Sequence, residues 1–244
     1  VEKLLGLNGK EQIEEYGMEP FIKKCKESVW KYKGMWEDFS KTVGFWADMD
    51  NPYVTYDDNF IESEWWALKE IWKKGLLYEG HKIVPYCPRC GTPLSSHEVA
   101  QGYKDVKERS AVVRFKVKGE DAYILAWTTT PWTLPSNVAL CVNPDEDYVK
   151  VTSKGYTYYM AAALVDTVLG EGAEILEHYQ GKDLEFKEYE PLFPYAEKRI
   201  GNKKAYYVVC DTYVTLTDGT GVVHIAPAFG EDDSKVGHRY DLPF

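Results

Sequence analysis

Apolar and polar positions alternate with two different periods along this chain, and the change of period divides it. The first third carries helical spacing. Asn8, with Glu11 three residues on, has the form of a capping box, and Gly17 follows as a stop. Pro20 opens a second predicted helix, with Phe21, Cys25 and Val29 along one side. Asp58 or Asn59 is placed to cap a third. Its apolar stripe, Ile61, Trp65, Leu68 and Trp72, is spaced four, three and four residues apart, and Gly75 closes it. The tryptophans of that stripe read as core packing rather than as a ligand platform.

The character changes around Val84, and from Ser110 the period is that of strands. Ala111, Val113, Phe115 and Val117 alternate with Val112, Arg114 and Lys116, as in a half-buried strand. Gly119-Glu120-Asp121 makes a turn, and Tyr123 to Trp127 predicts a second strand. Further strand-like runs lie at 138–142, 148–152, 156–160, 206–210 and 221–225. A helix is predicted from Ala161 to Leu169, closed by Gly170, and another starts near Glu231. The fold class expected is α+β: a mainly β, barrel-like domain with short helices at 105–244, preceded by a mostly helical connective segment at 1–104. There are no internal repeats or low-complexity linkers.

Bulk properties narrow the picture. With 244 residues, 44% hydrophobic and 28% charged, the chain has the composition of a globular protein and is long enough for a real core. No apolar run approaches the roughly 18 residues of a membrane span, and the first residues lack the blocks of a signal peptide. The sequence starts at Val1 and stops at Phe244, and it reads as a piece of a longer protein. The five cysteines, Cys25, Cys87, Cys90, Cys141 and Cys210, do not form a secreted disulfide framework, so a reducing, cytoplasmic home is expected. The net charge of −10 argues against gripping a nucleic-acid backbone by bulk electrostatics.

Two segments carry candidate chemistry. In Trp127-Thr128-Thr129-Thr130-Pro131-Trp132-Thr133-Leu134-Pro135-Ser136-Asn137, three adjacent hydroxyls follow a strand that Pro131 stops, with indoles at Trp127 and Trp132 on either side. Such a segment can wrap a small polar group. A Thr-rich edge strand ending in a turn explains the same residues. In Gly219-Thr220-Gly221-Val222-Val223-His224-Ile225-Ala226-Pro227-Ala228-Phe229-Gly230-Glu231-Asp232-Asp233, an apolar strand delivers His224 near its end and three acids open a helix. The acids suit a helix N-terminus through the macrodipole alone; alternatively one of them faces inward to bind a cation such as an α-ammonium. His224 by itself is better read as a satisfied core histidine.

Together, WTTTPWTLPSN and GTGVVHIAPAFGEDD resemble the paired signatures of the editing domain of isoleucyl-type tRNA synthetases, and the resemblance covers nearly the whole chain, with GFWADMDNPYVTYDDNFIESEWWALKEIWKKGLLYEG resembling the segments that lead into it. Valyl and leucyl relatives read Thr-Thr-Arg-Pro in the threonine segment; here Thr130 takes the arginine position and Trp132 follows the proline. The resemblance implies an ester hydrolase that removes valine, from tRNA charged in place of isoleucine or from valyl-adenylate. The implied partners are the 3′ end of that tRNA and the rest of a parent synthetase, with no membrane. It implies Asp233 as the acid that grips the ammonium, with Asp232 as the alternative one register away. His224 is implied as the residue that limits the size of the pocket. Thr128, Thr129 and Thr130 are implied as contacts to the aminoacyl group and terminal adenosine, with Thr129 grouped with Asp233 and His224 as catalytic. Trp127, Trp132 and Asn137 are implied as supporting contacts.

Water is the implied nucleophile, since no serine or cysteine is paired with a histidine. The segments that carry ATP binding in such synthetases are absent, so aminoacylation is not expected of this chain, and editing itself takes no cofactor. Cys87 and Cys90 form a C-x2-C half-site for which the resemblance implies a structural zinc in the parent, completed beyond Phe244. Cys25, Cys141 and Cys210 lie in apolar runs and read as buried small residues. Competing readings are a valyl- or leucyl-type editing domain and a non-catalytic zinc-knuckle RNA-binding module.

Overall fold

The structure, a computed structural model, describes residues 1–195 and 197–244. It divides into two compact units, Val1–Gln101 and Gly102–Phe244.

The first unit is mostly helical: α1 (Glu2–Leu5), α2 (Lys10–Tyr16), α3 (Met18–Lys31), α4 (Lys33–Thr42), α5 (Asp58–Lys73), a minimal hairpin of β1 (Tyr86–Cys87) and β2 (Thr92–Pro93), and α6 (Ser96–Ala100). The expected capping box at Asn8 does not form. Gly9 is the N-cap of α2, and the Asn8 N–H instead donates to Gln12 Oε1 at 2.7 Å. A complete capping box appears at α6, where the Ser95 hydroxyl and the Glu98 carboxylate exchange bonds with each other's backbone. Pro20 lies in the first turn of α3, which begins two residues earlier. Asp57 rather than Asp58 or Asn59 caps α5, and Gly75, at φ 68°, turns the chain out of it.

The stripe on α5 has the expected spacing but not the expected burial. Ile61 is 38% exposed, Trp65 72%, Leu68 45% and Trp72 65%. No described residue of this unit is fully buried, and Cys25 is only half-buried, contrary to the core role expected for it. The physical reason is architectural: an amphipathic helix buries its stripe only against a second layer, and these short helices supply none of adequate size.

The second unit is a curled half-barrel of mixed sheet. Its strands are β3 (Ala111–Lys116), β4 (Tyr123–Thr128), β5 (Ala139–Val142), β6 (Asp147–Ser153), β7 (Tyr156–Ala161), β8 (Glu174–Gln180), β9 (Tyr207–Cys210) and β10 (Val222–Ile225). The order is β8-β6-β7-β4-β10-β5-β9, with β3 also on β4. Two helices join it, α7 (Val165–Leu169), entered through a 3-10 turn at Ala162–Leu164, and α8 (Glu231–Arg239).

The β3–β4 hairpin keeps the predicted alternation, pairing Ala111 with Thr128 through Lys116 with Tyr123. In β5 and β9 every residue is buried because both faces are covered. Leu140, Val142, Val208 and Cys210 join the larger core, while Ala139, Cys141, Tyr207 and Val209 join a second core with Val236 and Leu242. Cys141 and Cys210 are thus buried as expected, and burial pushes both thiols up, Cys210 to about 11.

The turn after β3 is tied down by Glu120. Its carboxylate meets Lys150 Nζ at 2.6 Å and Lys187 Nζ at 3.1 Å and accepts the Tyr159 hydroxyl at 2.9 Å. Burial opposes its ionisation, but these three partners outweigh it and hold Glu120 down to about 2.

The topology decides where the two chemistry-bearing segments go. β10 lies between β4, with which it runs parallel, and β5, with which it runs antiparallel. The parallel pairing of Val223 with Trp127 brings the carboxyl ends of β4 and β10 to the same edge, so the loops that follow them lie side by side. Crevices outside strand ends of this kind are where ligands bind in open mixed sheets.

Candidate active site

The two loops flank a half-open cavity of about 230 Å³. From the β4 side it is lined by Trp127, Thr128, Thr129, Thr130 and Thr133, and from the β10 side by Val223, His224, Phe229, Gly230 and Asp233. That volume suits a small group rather than a large ligand.

Pro131 cannot continue the β4 ladder, and the chain instead winds into a 3-10 turn, Pro131–Ser136, with a second proline at Pro135. The turn packs hydroxyls tightly. The Thr130 N–H donates to Thr128 Oγ1 at 3.0 Å, and Thr128 Oγ1 and Thr130 Oγ1 lie 3.3 Å apart. Thr133 Oγ1 donates to the Thr130 carbonyl at 2.8 Å and sits 2.9 Å from His224 Nε2. Thr129 differs: it is exposed, and its hydroxyl has no hydrogen-bond partner among the described residues, so it is free to meet a ligand. Gly219, at φ 77°, lies against the Trp127 indole, where a Cβ would come within 2.8 Å of the ring. The close approach requires glycine there.

His224 is the penultimate residue of β10, with only 5% of its surface exposed. Burial pushes its pKa down to about 4, so the imidazole is neutral at physiological pH. A base that weak does little proton abstraction at neutral pH; its ring is a wall.

Asp233 is the third residue of α8 and turns back toward the strand end. Its Oδ2 accepts the Ala226 N–H at 2.9 Å. Burial raises its pKa; the Ala226 hydrogen bond works against that, and the neighbouring charge of Asp232 adds to it. No cation pairs with Asp233 among the described residues. Glu231 and Asp232 point elsewhere, both to Lys235, at 3.3 and 3.1 Å. Consecutive helical positions diverge by about 100°, so only one acid of the three can face the cavity, and that acid is Asp233.

The structure therefore brings together Trp127, Thr128, Thr129, Thr130, His224 and Asp233, and leaves out Asp232, Trp132 and Asn137. Trp132 is 70% exposed and does not line the cavity. Asn137 is buried away from the cavity lining, donating to the Ala139 carbonyl at 2.8 Å and accepting the Tyr189 hydroxyl at 2.6 Å; it ties the turn to β5. Thr133, Val223, Phe229 and Gly230 line the cavity without having been singled out in the sequence. All four lie inside the two motifs, and proximity to Thr130, His224 and Asp233 was the available signal.

Cys87 and Cys90 lie together on the β1–β2 hairpin of the first unit, with the Cys90 N–H donating to Cys87 Sγ at 3.4 Å. That bond holds the Cys87 thiol below its usual value, and the neighbouring Cys87 raises that of Cys90. The hairpin suits two thiolate ligands, half of a tetrahedral zinc shell. No group of three or more His, Cys, Asp or Glu placed to hold a metal occurs among the described residues. Among the described residues no helix is long and apolar enough to cross a membrane.

Comparison with known proteins adds the following. The family described as tRNA synthetases class I (I, L, M and V) matches residues 1–217. An isoleucine–tRNA ligase of Clostridium acetobutylicum is 61% identical over 244 residues, and one of Clostridium novyi is 60% identical over the same length. Both alignments take in all of this chain but 23% of the relative, so the chain spans about a quarter of the length of the relatives it matches. Among solved structures, that of GlLeuRS-CP1 aligns with 55% of this chain and 65% of its own, at 16% identity and a TM-score of 0.44.

Proposed function

The chain belongs to the class I tRNA synthetase family, and on that premise we propose that its second unit is an editing hydrolase, which cleaves the ester bond of valine wrongly attached to the tRNA for isoleucine. Valyl-adenylate offers the same valyl group to the same cavity and is the second substrate. The observation that carries this reading is the small cavity itself: a buried carboxylate without a cation, a neutral histidine wall and a free threonine hydroxyl are gathered at one sheet edge.

Each part has a physical task. An amino acid arrives with an ammonium group, and Asp233 is the desolvated countercharge that receives it. The esterified carbonyl and terminal ribose then lie along the threonine segment, where Thr129 offers its hydroxyl and Thr128 and Thr130 present a rigid hydroxyl cluster. No residue of the cavity is a strong base at neutral pH. Rate enhancement therefore comes from holding water and ester together and excluding bulk solvent. His224 and the proline-stiffened turn limit the side chain admitted.

The need for such a site follows from the weakness of single-step discrimination. A methylene is worth only about 1–3 kcal/mol to a binding pocket, a limit for which isoleucine against valine is itself the standard illustration. A second, smaller cavity inverts the selection by admitting only the smaller residue. In the parent protein Cys87 and Cys90 would supply two thiolates of a structural zinc, and a cytoplasmic location fits reduced cysteines.

The test is deacylation of valyl-tRNA and isoleucyl-tRNA, both made on isoleucine tRNA. Faster release of valine than of isoleucine is expected. Equal rates, or no hydrolysis of either, would refute the reading, and preference for mischarged valine or leucine tRNA would assign a different editing type.

A further inference from the structure

The two faces of the sheet formed by β3, β4, β7 and β6 treat their cations differently. Side chains alternate along a strand, so Lys150 of β6 and Tyr159 of β7, which are paired, face the same way. There Lys150 and Lys187 lie over the Tyr159 ring at 5.8 and 4.5 Å, and the Glu120 carboxylate matches both. The other face carries Arg114, Lys116, Tyr123, Tyr156 and Tyr158, set there by the pairing of Lys116 with Tyr123 and of Tyr123 with Tyr158. The three tyrosine rings lie 6.2 to 6.4 Å apart. Arg114 is exposed, and its guanidinium lies 4.8 Å from the centre of the Tyr156 ring and 5.5 Å from that of Tyr123. Lys116 is matched by Asp121, whereas no carboxylate pairs with Arg114 among the described residues. In a chain with 39 acids and 29 bases, that makes Arg114 an exception: a cation seated on rings with no anion beside it.

A guanidinium stacked on a ring engages its face and keeps its edge N–H donors in water. Those donors fit a phosphate bidentately. Tyr156, with 46% of its surface exposed, offers beside them a plane on which a base can stack. Rings combined with a phosphate-binding cation hold single-stranded nucleic acid without reading its sequence. The platform also lies close to the cavity. Val112, two residues along β3 from Arg114, pairs with Trp127, and Trp127 lines the cavity. Two residues of strand span about 7 Å, the reach of a nucleotide or two. We propose that Arg114, Tyr123 and Tyr156 form a docking platform for single-stranded RNA, the nucleotides that immediately precede the aminoacylated terminal adenosine. This rests on the editing function proposed above, which puts the ester of that adenosine in the cavity. One or two phosphate contacts do not make a chain of net charge −10 grip tRNA as a whole; they set where its last few nucleotides lie.

Substrates of increasing length test this: valyl-adenosine, a valylated trinucleotide ending in that adenosine, and valyl-tRNA. In the wild-type protein kcat/KM is expected to rise from the first to the second, through a lower KM. Arg114→Gln is expected to cut the ratio of kcat/KM for the trinucleotide to that for valyl-adenosine about fivefold. It should also flatten the dependence of log KM on log salt by about 0.7, as loss of one single-strand phosphate contact does. Tyr156→Ala is expected to cut the ratio about tenfold, the size of one base–ring stack, and Tyr156→Phe, which keeps the ring, to restore it. A ratio that either Arg114→Gln or Tyr156→Ala leaves unchanged overturns the proposal, and so does an unchanged salt slope. NMR titration of the wild-type chain with the unacylated trinucleotide gives a readout free of hydrolysis and of any variant that fails to fold. Shifts are expected at Arg114 and Tyr156 and not at Tyr159 on the other face; their absence refutes the platform. Stronger binding of an acidic peptide at the same residues overturns the RNA reading in favour of a protein partner. If the wild-type chain hydrolyses none of the three substrates, the editing function fails, and the titration alone decides whether the platform holds a single strand.

Discussion

Replacing Asp233 by asparagine separates binding from folding in this cavity. Asparagine has the same shape, and its amide oxygen can still accept the Ala226 N–H that Asp233 Oδ2 accepts at 2.9 Å. Only the charge is lost. If the carboxylate receives an ammonium in a desolvated cavity, the lost interaction is a charge-assisted hydrogen bond, of about 1.5–3 kcal/mol. That corresponds to roughly a 10- to 150-fold fall in kcat/KM for valyl-tRNA deacylation.

The stability effect has the opposite direction. Burial raises the pKa of Asp233 in the folded state. A raised carboxylate pKa contributes stability below the unfolded value, and that contribution is lost as pH rises through the folded value. At neutral pH the ionised side chain therefore costs stability, and Asp233→Asn is expected to melt at the wild-type temperature or above it. The same shift sets the pH profile: deacylation by the wild-type protein should decline on acidification at a higher pH than an ordinary aspartate would give, and the variant should lose that limb. Thermal melts beside deacylation rates across pH provide the check. Wild-type deacylation in a folded Asp233→Asn, or a large drop in melting temperature, would refute the reasoning.

His224→Ala should let isoleucyl-tRNA be hydrolysed while valine release falls less than in Asp233→Asn, with the ratio of the two rates as readout. Because burial holds His224 down to about 4, its neutral form contributes stability above the unfolded value of 6.5 that is lost as pH falls through about 4; melts of wild type and His224→Ala between these pH values should converge toward the acid end. Glu120→Gln should lower the melting temperature at neutral pH by roughly 2–4 °C for each kcal/mol lost, and the difference should vanish as pH falls from 4.5 through about 2, since that stability needs the ionised carboxylate. With a net charge of −10, the chain should bind whole tRNA weakly; a sub-micromolar dissociation constant that weakens steeply with salt in a filter-binding titration would contradict this. Gly230→Ala should cut valine release about tenfold without unfolding α8. Its φ of −140° accommodates alanine, but the added Cβ would sit 3.0 Å from the Asp233 carboxyl carbon and push it off line.

What the chain discloses locally and what it withholds follow the reach of each signal. The β3–β4 hairpin was legible because one face is buried and the other wet, so alternation survives in the sequence. β8, at Glu174–Gln180, was not: it is a mostly exposed edge strand whose polar residues leave no pattern to detect. The helix α4 was missed for a related reason, since Lys33–Thr42 contains Gly34 and has no side-chain cap. The α5 stripe shows the converse failure, a clear period that says an apolar face exists but not what covers it. At the cavity, the threonine segment and His224 stood out as motifs, yet nothing local joined them. The parallel pairing of β4 with β10 does so, and it is a relation between residues about 96 positions apart, Trp127 and Val223. The choice between Asp232 and Asp233 depended likewise on where α8 begins, because a one-residue slip turns a carboxylate by about 100°. Thr133 became visible only once that pairing was known: from the sequence it is one more hydroxyl in a turn, and the fold places it on the cavity wall, 2.9 Å from the ring of a histidine 91 residues away. Residues that carry distinctive chemistry can be found from the sequence, whereas a residue whose place depends on a distant partner is found only by the contact.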